Sequence, residues 1–99
     1  MLEIIDPPII QLVDNLDLRA ARPLHSVLLS HRRGPVVIDA SRVQRLGGLC
    51  LQVLLSAKAS WVSDGDSFCF RAASPAFVDA LGLLGAKDLQ SLARAGLAA

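Results

Sequence analysis

Apolar positions recur along this chain with two different spacings, and each change of spacing marks an element. Leu2–Ile5 ("LEII") and Ile9–Val13 ("IIQLV") are apolar runs of strand length. Asp6-Pro7-Pro8 lies between them. Proline fixes φ and cannot donate to a ladder, so this spacing predicts a turn and an antiparallel hairpin. Asp14–Asp17 ("DNLD") reads as loop. From Ala20 to Arg32 the spacing lengthens, and Ala20, Leu24, Val27, Leu28 and His31 fall on one helical face. Pro23 is compatible only with the first turn of that helix. Gly34 ends it, with His31, Arg32 and Arg33 near the negative end of its dipole.

The middle of the chain carries the clearest pattern. Pro35–Ala40 ("PVVIDA") is a continuous β-branched run, as expected of a central strand covered on both faces. A second helix is predicted from Gly48 to Ser63, with Cys50, Val53, Leu54, Ala57 and Trp61 as its inward stripe. Gln52, Ser56, Ser60 and Ser63 lie opposite, and Leu51, Leu55 and Val62 on the flank. This apolar arc is wider than one packing contact requires, which leaves part of it for a partner. Asp64-Gly65-Asp66 is a turn, and Ser67–Ala72 ("SFCFRA") a strand with Phe68 and Phe70 on one face. Ser74-Pro75 starts a third helix, with Ser as N-cap and Pro at the first position. Phe77, Val78, Leu81 and Leu84 form its apolar face, and Gly85 marks its end. In the tail, Leu89 and Leu92 fit one last helical turn, with roughly the final ten residues fraying.

Strand, helix and next strand make a βαβ unit, whose right-handed crossover makes the two strands parallel. With the hairpin, the expected fold is α/β: residues 1–99 as a single domain, a mixed sheet of roughly four to five strands with helices packed against it.

Composition narrows the function. The chain is 53% apolar and 19% charged, which is a folded rather than a disordered balance. A net charge of +1 provides no long-range attraction for nucleic acid or an anionic membrane. Cys50 and Cys69 read as reduced thiols. "MLEIIDPP" lacks a basic region and a long apolar run, and no segment reaches the roughly 20 apolar residues of a span. A cytoplasmic protein without membrane insertion is expected.

Catalytic chemistry finds little support. His25 and His31 do not share a helical face, and no carboxylate or cysteine lies near them in sequence. No H-E-x-x-H or C-x-x-C spacing is present, so neither metal nor cofactor is expected. Gly47-Gly48 lacks the spacing and lysine of a phosphate-binding loop, and reads as a tight turn that glycine permits. Cys50, at a helix start, is placed for a lowered pKa, but it also falls on the inward stripe. Asp39 either orients backbone amides of the following turn or is a solvated strand-end carboxylate.

Several pieces in order resemble the STAS domain of bacterial anti-sigma factor antagonists. They are "LDLRAARPL" (Leu16–Leu24), "VVIDASRV" (Val36–Val43), "LQVLL" (Leu51–Leu55) and "SPAFVDALGLLG" (Ser74–Gly85). Phosphorylated members of that family carry Asp-Ser-Ser-Gly before the second helix, and a kinase modifies a serine there. Here those places hold Gly47, Gly48, Leu49 and Cys50, so the resemblance does not carry the acceptor over. "LGGLCLQVLL" (Leu46–Leu55) resembles instead the STAS proteins encoded beside bacterial chemotaxis genes, which implies a histidine kinase or related signalling regulator as partner. The expected function is therefore a non-enzymatic protein–protein interaction module in bacterial signal transduction. Its expected contact residues are Arg42, Arg45, Gly47, Gly48, Leu49, Leu51, Gln52 and Leu55. Leu49 either projects to a partner or tucks into the core. Two alternatives stand beside this one: a phosphorylated switch using Ser41, and a STAS subunit of a lipid-transport ATPase complex.

Overall fold

The computed structural model describes residues 7–96. Strands β1 (Ile9–Gln11), β3 (Val36–Asp39) and β5 (Phe68–Arg71) form a parallel sheet in the order β1-β3-β5. The run Val36–Asp39 is thus central, and β3 and β5 are parallel as the βαβ unit requires. A second, two-stranded parallel sheet pairs β2 (Asn15–Leu16) with β4 (Arg45–Leu46). The helices are α1 (Ala21–Ser30), α2 (Gly48–Asp64), α3 (Pro75–Leu83) and α4 (Lys87–Ala95), and a 3-10 turn at Leu18–Ala20 leads into α1. The expected single mixed sheet is therefore two parallel sheets among the described residues. Its antiparallel hairpin would need Leu2–Ile5, which lie outside them.

The core lies on one face of the larger sheet. Ile10, Val36, Ile38, Phe68 and Phe70 are buried there, and the register sets Ile10 beside Ile38 and Ile38 beside Phe70. Trp61 of α2, Phe68, Phe70 and Phe77 of α3 make successive edge-on or tilted ring contacts with centroids 5.3–5.8 Å apart. The Trp61 indole N–H donates to the Gly34 carbonyl at 2.9 Å, so its burial leaves no polar group unpaired.

On the other face Ile9, Gln11 and Cys69 are exposed and Val37 is half-buried. The expectation of cover on both faces fails here. A β-branched run shows that a strand is central, but it does not count the layers stacked on it.

Ser74 caps α3 as its sequence predicts, accepting from the Phe77 amide at 3.1 Å with Pro75 at the first helical position. Up to Gly96 the tail departs from the fraying expected for it, while residues 97–99 lie outside the described residues. Leu89 and Ala93, one turn apart on α4, are fully buried, and the Gln90 amide donates to the Val78 carbonyl of α3 at 3.0 Å. Leu84, expected on the apolar face of α3, is instead 46% exposed. Val27 on α1 is likewise 40% exposed, and Ala21 takes the buried place expected for Ala20.

Candidate functional site

The corner before α2 is built from backbone contacts. Asn15 and Leu16 pair with Arg45 and Leu46, and the Gln44 and Arg45 amides donate to the Asp14 carbonyl at 2.7 and 3.1 Å. The Gly47 amide donates to the Leu16 carbonyl at 2.9 Å, and the Cys50 thiol to the Asp17 carbonyl at 3.2 Å. These bonds join the start of α2 to the 3-10 turn before α1. "DNLD" reads as loop because a two-residue strand carries no periodicity, yet it is the strut that fixes this corner.

Glycine acts here by lack of bulk. Neither Gly47 nor Gly48 has a positive φ, so the turn does not use the freedom expected of it. A Cβ on Gly47 would stand 3.2 Å from the Leu16 carbonyl oxygen, tighter than side chains normally pack, whereas one on Gly48 would meet nothing.

The expected contact residues divide by accessibility. Arg42, Arg45, Gly48 and Gln52 are exposed, and Leu49 is 49% exposed. Gly47 and Leu55 are half-buried, with Leu55 packed against the core. Leu51 is only 5% exposed and belongs to the core, which corrects its place on a contact surface. Val53, expected inward, is only half-buried, so the helix is rotated slightly toward Leu51. Leu18, in the 3-10 turn, is 75% exposed and escaped the sequence reading. Its only sequence signal is an apolar residue stranded between Asp17 and Arg19. It follows Asp17 in the chain as Leu49 precedes Cys50, so both leucines are chain neighbours of the Asp17–Cys50 bond.

Asp39 orients a turn. Its side chain, 8% exposed, accepts from the Ser41 amide at 2.9 Å and the Ser41 hydroxyl at 2.6 Å through one oxygen. Arg71 Nε donates to the other oxygen at 3.0 Å. Burial opposes ionisation, but the Ser41 and Arg71 hydrogen bonds outweigh it and hold the carboxyl below its ordinary range. The solvated reading of Asp39 is therefore set aside.

Ser41 borders an open depression of about 640 Å³ outside the carboxyl ends of the strands, together with Asp14, Arg42, Gln44 and Ser74. Such crevices commonly take ligands in open α/β sheets. Here the Ser41 hydroxyl is already committed to Asp39, and a carboxylate held ionised so firmly is a poor base.

Cys50 is fully buried, and burial, with the nearby Asp17 carboxylate adding to it, pushes its thiol up. That is opposite to the lowering a helix start alone confers. Among the described residues no three of His, Cys, Asp and Glu gather closely enough to hold a metal ion, and no helix is long and apolar enough to cross a membrane.

The family model described as "Mlab, STAS domain" matches residues 6–93, from before β1 into α4. No curated protein and no solved structure matches the chain. A parallel α/β framework, a turn wedged between β4 and α2, and a family match over nearly the whole length agree: the chain belongs to the STAS domain family.

Proposed function

We propose that this protein is a non-enzymatic docking module in bacterial signal transduction, and that it grips its partner through the corner before α2. The observation that carries this is Leu49, half-exposed at the tip of a corner held by backbone hydrogen bonds on both sides. A rigid apolar tip binds at little ordering cost. "LGGLCLQVLL" supports a chemotaxis histidine kinase or a related regulator as the partner. Affinity capture from the native cell tests the reading. Wild type should retain such a kinase or regulator, and a folded Leu49→Asp variant should lose it; equal retention by both would reject the assignment.

A second reading keeps the surface and changes the occupant to the ATPase of a lipid-transport complex. The Mlab description of the matched family model favours it. Recovery of an ATPase in the same capture would decide for it. Phosphorylation at Ser41 is the reading the geometry favours least, because a phosphate there would stand beside the Asp39 carboxylate. Intact mass after incubation with ATP and the captured kinase checks it, and an unchanged mass is expected.

A further inference from the structure

The end of the molecule that carries Leu49 is also its basic end. Arg19, Arg22, Arg42 and Arg45 are all exposed, and none is ion-paired with a described residue. They gather through the fold. The Cys50–Asp17 bond brings the start of α2 against the turn that carries Arg19 and leads to Arg22. The Ser74 hydroxyl, donating to the Val43 carbonyl at 2.5 Å, ties the start of α3 beside Arg42. Three carboxylates of described residues lie on these segments: Asp39 is paired with Arg71, Asp17 accepts from the Arg19 and Ala20 amides at 3.0 and 3.2 Å, and Asp14 makes no ion pair with a described residue. Against the four arginines stand the charges of Asp14 and Asp17, which still leaves a positive excess among the described residues here. The start of α2 adds to this field, because its N-cap, Gly47, has no side chain to satisfy the first amides. The overall charge of +1 therefore hides a local excess of positive potential around two exposed leucines, Leu18 and Leu49.

We infer that this end takes an acidic protein segment, one that presents carboxylates around an apolar anchor, with the leucines receiving the anchor and the arginines the carboxylates. The inference rests on the docking reading above and names its partner's chemistry. A single-stranded nucleic acid fits less well, because the only aromatic residues, Trp61, Phe68, Phe70 and Phe77, are all buried and none can stack a base. An anionic membrane fits less well too, because the exposed apolar side chains among the described residues of this end, Val13, Leu18 and Leu49, are too few to make the continuous apolar face that enters a bilayer surface.

The test is a titration of isotopically labelled protein, followed by its amide resonances. The probes are an amphipathic helical peptide of leucine and glutamate, its lysine counterpart, and phosphatidylcholine vesicles containing phosphatidylglycerol. The glutamate peptide should shift Leu18, Arg19, Arg45, Gly48 and Leu49, more weakly as salt rises, and the other two probes should not. Arg19→Glu with Arg45→Glu should weaken that binding about tenfold with an unchanged circular dichroism spectrum. No binding of the glutamate peptide, equal binding of the lysine peptide or vesicles, or shifts confined elsewhere would overturn the inference. Leu49→Asp separates the two levels. If it abolishes binding while the charge reversal does nothing, the corner still docks and the acidic preference falls; if neither matters, both fall.

Discussion

Asp39 takes the first of its two expected roles, orienting the amide of the turn that follows β3. A carboxylate at a strand end is ordinarily solvated, but this one is buried and takes hydrogen bonds from Ser41 and Arg71. Asp39→Asn keeps an acceptor for the Ser41 amide and loses the charge. It should cost about 1–3 kcal/mol in urea unfolding at neutral pH. The pH dependence has a definite sign. A folded-state pKa held below the unfolded value of about 3.9 contributes stability above that pH, lost as pH falls through the folded value. The variant should therefore lose less stability than wild type on acidification. Some slope should remain, because the hydrogen bond from Arg32 holds Asp64 below its ordinary range as well. The two thiols give a second check at this scale. Cys69 is exposed and Cys50 buried with a raised pKa. A thiol-reactive probe should label one site in the native protein and a second only after denaturation; native labelling of Cys50 would contradict its place in the core.

Among the elements, the turn into α2 sets the geometry of the site. Gly48 starts that helix, is exposed, and would place a Cβ in open space at an ordinary φ. Gly48→Ala should be neutral or stabilising by up to about 1 kcal/mol in thermal unfolding, because alanine restricts the unfolded chain more than glycine does. A clear loss would mean that the turn needs glycine after all. The long elements were legible because their signals are local: the β-branched run of β3, the N-cap of α3, the Cys50–Leu54–Trp61 stripe of α2. The pairing of β2 with β4 was not, since it depends on contacts across 30 residues (Asn15 with Arg45) and spans two residues per strand. The pairing of Arg71 with Asp39 is hidden for the same reason, being a single contact across 32 residues. α4 leaves a weak signal in the sequence, because Leu89 and Ala93 are its only buried positions and an alanine contributes little to an apolar pattern. The burial of Leu51 is not legible either, because α2 is apolar over a wide arc and one sequence does not fix the rotation of such a helix.

For the whole molecule, near-neutral charge and a family match would by themselves describe an inert small domain. The parallel arrangement changes that. It brings the starts of α2 and α3 and the turn before α1 to one end, together with unpaired arginines and the leucines of the corner. Among the described residues, the face of the sheet away from the core, with Ile9, Gln11 and Cys69 exposed, has no comparable grouping of charge. The direct measurement of docking is a binding titration of the captured signalling partner against wild type and Leu49→Asp, beside their unfolding curves. Leu49 lies in the first turn of α2, where an aspartate suits the helix dipole, so the unfolding midpoint should move little. Affinity should fall at least about thirtyfold, as expected when a charge replaces an apolar anchor at the centre of an interface. An affinity equal to that of wild type, in a variant that folds normally, would contradict the account.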